Sequence, residues 1–474
     1  MNLGIRRETR LMASESTSWI LLLVYVVLSG YGAIQGVTAY RSEQDQITAT
    51  RREYDLRWET ITRNASASRA ELWGSWKSPS LAGSEQGGAV AWIVPSPLSA
   101  LNRGHAARES PVRRISLFDS PIAPPLANPV NVMYGWMDFG FSVLWLLPLV
   151  QLLLSFQSLG RDRELGLWPL VLSSGVPLRR LVAVRLAIPY GIVVGITLLF
   201  GATIVAMTSG RFGAAFLEWA VALGAYASFW TLLGGTIALG SGNAARQLLL
   251  LAGIWIGAVW VVPGLLDGAA AVMVPRRNIA DGLLAARDAQ ISTAQRSSSI
   301  MKQVYERHPE WKPTPEHEWR MNQPVPGGPR KRDSRGIYSS FLAGDEALAP
   351  SRALAARRRA QLEDLSNRFS PFSPVTSMQY ITEELAGTSF GRYKSFDMHA
   401  EEFLAEWRQS FASKVWKLEE MRVGDIDRRP RFLPANEQQP AAVERLLWPV
   451  GGLTFWILCV SVAVRRRLRH FQPV

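Results

Sequence analysis

The sequence predicts an all-α polytopic membrane protein with six transmembrane helices, cytoplasmic N- and C-termini and two mainly helical extracytoplasmic insertions. Three observations carry that expectation. Six apolar runs, most of them roughly 20 residues or longer, are long enough to cross a hydrocarbon layer. Arginines cluster where those runs end. A mean hydropathy of +0.04 with 48% hydrophobic residues is ordinary as an average, so the apolar character is concentrated in blocks rather than spread through a soluble core.

Residues 1–17 form a polar cytoplasmic N-terminus carrying Arg6, Arg7 and Arg10 ahead of the first run, 18–40. That run is too long for a secretory signal core and reads as a signal anchor. Residues 41–131 form the first insertion. Its opening part, through Trp76, has few helix breakers and continues the first span outward as a stalk, and the Gly-, Ser- and Pro-rich stretches that follow read as loops. The second span is 132–156, the cytoplasmic connection 157–180, and the third, fourth and fifth spans 181–207, 214–239 and 247–266. Residues 267–445 form a second, helical outer domain interrupted near WKPTPEHEW and NQPVPGGPRKRDS. The sixth span is 446–464, and a basic cytoplasmic tail, 465–474, ends the chain.

Orientation follows from the positive-inside rule. With the N-terminus inside, Arg161, Arg163, Arg179, Arg180, Arg246 and the C-terminal arginines all fall in the cytoplasm, and only Arg211 lies in a short outer loop. The same accounting explains the net charge of +13 without nucleic acid, because the arginines flank apolar runs. The single cysteine, Cys459, lies inside the sixth run, which excludes a disulfide within the chain and Cys-based metal sites.

Catalytic chemistry is hard to find. No GxxxxGK[ST] phosphate loop and no GxSxG elbow is present, so ATP is handled by another chain and no enzyme activity is expected here. His308, Glu316, His317 and Glu318 lie close together, but the intervening prolines deny them regular helical spacing, and no metal site is assigned. Glu218, a few residues into the fourth span beside Trp219, is the candidate intramembrane polar residue. It either faces protein or water at depth or lies at the interface, and the interfacial reading is preferred. Asp138, beside Trp136, is read as interfacial. Gly191 and Gly195 have the small-xxx-small spacing that lets helices approach closely, Gly234, Gly235 and Gly240 line the fourth span, and Pro148, Pro189 and Pro263 are expected to kink their helices.

The connection between the second and third spans is the most informative stretch. A charged cluster (Arg161 to Glu164) leads to an apolar segment broken by Ser173, Ser174, Gly175 and Pro177, and then to Arg179 and Arg180. Such a segment lies on a membrane surface, with Arg at the headgroups and Leu and Trp sinking slightly. RDRELGLWPLVLSSGVPLRRLVAVRLAIPY resembles the cytoplasmic loop after the second span of ABC-2-type transporter permeases. Glu164 and Gly166, a Leu-rich segment, a Ser/Pro turn and Arg179 and Arg180 carry the likeness. The family usually has Thr after that Gly, whereas Leu167 stands here. SPFSPVTSMQYITEELAGTSFGRYKSF, residues 370–396, is similar to a stretch in the second insertion of a bacterial subfamily.

The resemblance implies a permease subunit in the bacterial cytoplasmic (inner) membrane, a second permease copy, and a partner ATPase that binds ATP and Mg. It implies that Arg161, Arg163, Glu164, Gly166, Pro177, Arg179 and Arg180 form the coupling segment that docks into that ATPase. An extracytoplasmic partner protein is a further expectation. The alternative is a membrane-anchored scaffold that recruits outer partners without transport. The cargo is not legible.

Overall fold

The structure, a computed structural model, describes residues 16–66, 77–84, 87–118, 137–164, 166, 168–173, 177–240, 243–274, 279–312, 334–417, 419–434 and 443–470. It is mainly helical. Six helices are long and apolar enough to cross a membrane, so the chain is a polytopic helical membrane protein.

Helix α1 (Ser16–Ser66) carries the first span and continues beyond it as the anticipated stalk; residues 67–76 lie outside the described residues. The short α2 (Pro79–Ala82) precedes a feature the all-α expectation lacked, an antiparallel hairpin of β1 (Ala89–Trp92) and β2 (Val112–Ile115). Its register pairs Ala89 with Ile115 and Trp92 with Val112. The AVAW and VRRI strands are short and lie next to Gly- and Ser-rich loops, which is why apolar periodicity did not expose them.

The second span opens with one turn, Phe139–Phe141, and a π-helical turn, Ser142–Leu146, before α3 (Leu147–Glu164). Asp138 starts it as an N-cap, its carboxylate accepting from the Phe141 amide at 2.9 Å and the Arg103 amide at 2.7 Å. It is buried by packing against the first insertion. After α4 (Trp168–Ser173) come α5 (Leu178–Met207) and α6 (Ala214–Ala238), the third and fourth spans. The fifth joins α7 (Ala244–Ile256), a π-helical turn (Gly257–Val261) and α8 (Val262–Met273). The domain between the fifth and sixth spans holds α9 (Ile279–Arg307), α10 (Ser334–Phe369), α11 (Pro374–Ala386), α12 (Phe390–Lys417) and α13 (Val423–Asp427), and α14 (Val443–Arg469) is the sixth span.

The second span is the most buried of the six and the fifth the least. Around the second, Phe139, Leu147, Tyr226, Trp219 and Trp230 build the bundle core. Gly32 and Gly36 let α1 approach closely: a Cβ on Gly32 would meet the Asp138 carbonyl at 2.6 Å, and one on Gly36 would collide with the Ala100 carbonyl. Gly234 packs on Leu152 and Ser155, whereas Gly191 and Gly195 have nothing within 4 Å and face outward.

The two insertions share one core. Trp58, Ile61, Ala91 and Ile115 of the first pack with Phe403, Trp407 and Phe411 of α12. Both lie at one end of the bundle. The opposite end is defined by Ser18 bonded to Gln157 at 3.1 Å and by Arg467 lying beside Gly240.

Candidate functional site

The connection between α3 and α5 is built from two breaks and a short helix. Gly166 sits in the left-handed region at φ +63°, where a side chain is disfavoured, and this reverses the chain after Glu164. Six residues then wind into α4, with Ser173 Oγ donating to the Leu170 carbonyl at 2.7 Å. Pro177 follows, extended at φ −61° and ψ 131°, and serves as the N-cap residue of α5. Its carbonyl accepts from the amides of Arg180 at 2.9 Å and Leu181 at 3.2 Å.

Trp168 anchors α4. Only 2% exposed, it belongs to the bundle core rather than sinking slightly into headgroups. The Arg185 guanidinium of the third span, itself buried, lies 5.8 Å from the Trp168 ring centroid. Leu170, in contrast, is 70% exposed. One side of α4 is thus fixed to the bundle while the other is open. Pro177, Arg179 and Arg180 are exposed beside it, and Arg246, Arg465, Arg466 and Arg467 are exposed at the same end. The side chains of Arg161, Arg163 and Glu164 lie outside the described residues, as do residues 165, 167 and 174–176.

Glu218 is placed elsewhere. It is exposed near the start of α6, at the other end of the bundle, while its neighbour Trp219 is buried. The buried polar contacts of the bundle are other pairs: Tyr25 with Thr197 at 2.6 Å and Gln151 donating to Thr231 at 2.7 Å. Among the described residues no group of His, Cys, Asp and Glu is arranged to hold a metal. His308 stacks on Trp311 with centroids 3.8 Å apart, and Glu316, His317 and Glu318 lie outside the described residues.

At the insertion end, α11 forms a wedge between the fourth, fifth and sixth spans. Ser373 caps it, accepting from the Val375 amide and donating at 3.2 Å to the Ala258 carbonyl of the fifth span. The Trp456 indole of the sixth span donates to the Pro371 carbonyl at 2.9 Å. Beyond the wedge, the Thr388 carbonyl accepts from the His105 amide at 3.0 Å, and Arg392 donates to the Val94 carbonyl at 2.6 Å. Residues 370–396 thereby tie three spans to both insertions.

The chemistry at this junction is a set of buried ionisable groups. Burial pushes the Glu383 carboxyl up to about 7, against a bond from Gln379 that favours its ionised form, and nearby Glu363 adds to the rise. Burial also raises Glu363 to about 7, with Glu384 adding to it. His105, 3.8 Å from Glu363, is held down to about 4 by burial and by Arg108 and Arg359.

Residues 280–435 match a sequence family described as a domain of unknown function (DUF3526). This is about a third of the chain: it takes in most of α9 to α13 and leaves out the spans and the α3–α5 connection. No curated protein and no solved structure is a match.

Sequence reasoning found the α3–α5 connection but missed Trp168 and Arg185 as its anchor. The signal was present as an arginine at the fifth position of the apolar span 181–207, which is costly in lipid and calls for a protein partner.

Proposed function

We propose that the chain is the transmembrane permease subunit of an ABC transporter in the bacterial cytoplasmic membrane, working as a homodimer and driven by a separate ATPase subunit. The observation that carries this reading is α4, a short helix between two spans, bounded by Gly166 and Pro177 and held to the core through Trp168. A helix with one side anchored and the other open, surrounded by exposed arginines, suits transmission of force from a soluble partner into the bundle. ATP and Mg belong to that partner, which would hydrolyse the nucleotide, and this chain contributes no catalytic group.

In this reading the ATPase pulls on α4, and Trp168 passes the displacement to α5 through Arg185 and to the core of the second span. The ATPase must bind one arrangement of the bundle better than the other, since equal affinity would shift nothing. The wedge α11 then links the moving spans to the outer domains, so either a substrate path or an outer partner protein receives the motion. Gly191 and Gly195, which touch nothing within the chain, leave a flat stripe on the third span for the second copy.

Affinity co-purification from the native membrane in mild detergent tests the proposal. A stoichiometric ATP-binding-cassette subunit is expected, with ATPase activity, and Gly166→Pro should abolish its association. Recovery of the dimer without an ATPase, or of a Gly166→Pro variant that retains it, would leave the scaffold reading in its place.

A further inference from the structure

We propose that a groove on the stalk, separate from the α3–α5 connection, receives an extended acidic peptide segment. The groove, about 790 Å³, runs between α1, β1 and the extended stretch 429–434. Its floor on α1 reaches from Gln44 to Trp58, about 21 Å at 1.5 Å per residue, a length that accommodates roughly six residues of extended chain.

Charge selects the ligand's sign. Arg51, Arg429 and Arg431 line the groove against one carboxylate, Asp55. Two of these guanidiniums sit over indoles: Arg51 lies 4.2 Å from the Trp92 ring centroid and Arg429 lies 4.5 Å from that of Trp58. A cation over an indole limits the positions its guanidinium can take, and N–H groups not engaged elsewhere can meet a carboxylate. Arg429 is also half-withdrawn from water; burial and the charge of Arg431 disfavour its cation, and the Ile426 carbonyl accepts from it at 2.8 Å. An incoming carboxylate offsets that cost.

The backbone selects the ligand's form. Among the described residues β1 pairs only with β2, so its second edge carries no strand. Gly88, Ala89 and Val90 all line the groove. Consecutive strand residues point to opposite faces, so a groove touching both must reach the strand's edge. An extended peptide satisfies that edge with its own amides and carbonyls, as in strand addition, whereas an acyl chain has nothing to offer it. Trp92 and Phe432, with ring centroids 5.3 Å apart, supply apolar surface for alternate side chains.

The test uses the full-length chain in nanodiscs and fluorescence anisotropy of labelled hexapeptides alternating Glu and Val, Gln and Val, or Lys and Val. The Glu peptide should bind saturably and at least about tenfold more tightly than its Gln twin, and Arg51→Gln should remove most of that difference. Arg51 is exposed, so Arg51→Glu is expected to fold and to shift preference towards the Lys peptide, a reversal that general destabilisation cannot produce. Methylating alternate peptide nitrogens should abolish binding. Equal affinity for the Glu and Gln peptides, or an Arg51→Glu variant with unchanged preference, overturns the proposal. So does displacement of the Glu peptide by phosphatidylglycerol vesicles through Arg51 and Arg429, which would assign the groove to lipid.

Discussion

Gly166→Ala isolates the geometry of the α3–α5 connection. A Cβ built at Gly166 would meet nothing within 4 Å, so the substitution removes no space and breaks no contact. What remains is the backbone. Holding an L-residue at φ +63° costs about 1–2 kcal/mol, which at about 1.4 kcal/mol per factor of ten lowers the population of correctly seated α4 by about 5- to 30-fold. Asn tolerates the left-handed region better than Ala, so Gly166→Asn should lose less. Gly166→Pro, with φ fixed near −65°, cannot adopt the turn.

Hydrogen exchange of the peptide spanning 166–177, measured in nanodiscs, reads the effect directly. Exchange should rise about 5- to 30-fold in the Ala variant and less in the Asn variant, and the thermal midpoint should fall by no more than about 1–2 kcal/mol of backbone strain accounts for, because nothing packs on the new methyl. An Ala variant that exchanges like the parent refutes the reasoning, as does an Asn variant as exposed as the Ala one. A loss of stability well beyond about 2 kcal/mol would mean that position 166 carries packing after all.

Three further outcomes are expected. Trp168→Ala should destabilise the protein by about 3–5 kcal/mol, as loss of a buried indole does, and should expose α4 in the same exchange measurement. Tyr226→Phe should cost about 1–3 kcal/mol by thermal unfolding, because the Leu144 carbonyl loses the hydroxyl that donates to it at 2.8 Å. The junction should lose stability as pH rises from 4.5 through about 7, since folded Glu383 and Glu363 hold protons there that the unfolded chain releases. His105 opposes this: neutral when folded, it contributes stability above 6.5 that is lost as pH falls towards about 4. Glu383→Gln should flatten the decline between 4.5 and 7, by about 3 kcal/mol at most, in midpoints measured against pH.

Length and apolar composition made the six spans legible, because a backbone in lipid has few solutions other than a helix. The connection at Gly166 was legible because glycine, a short Leu-rich run and a proline prescribe break, helix and break. The hairpin was not, since two four-residue strands carry too little periodicity. Nor was the role of Asp138: beside Trp136 it reads as a headgroup-level residue, and only the fold brings the Arg103 amide to it. Gly191 and Gly195 show the limit of spacing arguments. Their pattern promises close packing, yet Gly32 and Gly36 are a pair that the chain itself packs, where the opposing backbone comes from Asp138 at the start of the second span and from Ala100 in the first insertion.

Two π-helical turns among the described residues show how the domain between the fifth and sixth spans is joined to the bundle. Pro148 and Pro263 bring no N–H to their helices, so a carbonyl one turn earlier is left without its usual partner in a region where water is scarce. In the second span the Leu144 carbonyl is served by Tyr226 of the fourth, and the neighbouring Trp145 carbonyl by the Trp255 indole of the fifth at 3.1 Å. In the fifth span the Ala258 carbonyl, five residues before Pro263 in the π-helical register, is served by Ser373 at the cap of α11. That donor belongs to the outer domain. Withdrawing α11 from the bundle would strand the Ala258 carbonyl in apolar surroundings, a cost of about 1–3 kcal/mol. Ser373 thus ties α11 to the fifth span, and Thr388 and Arg392 continue the connection to the loop at 94–105. The connection from the spans to the shared core of the two insertions combines the apolar packing of α11 with these hydrogen bonds, and Ser373 is the bond to the fifth span that can be removed without altering any span.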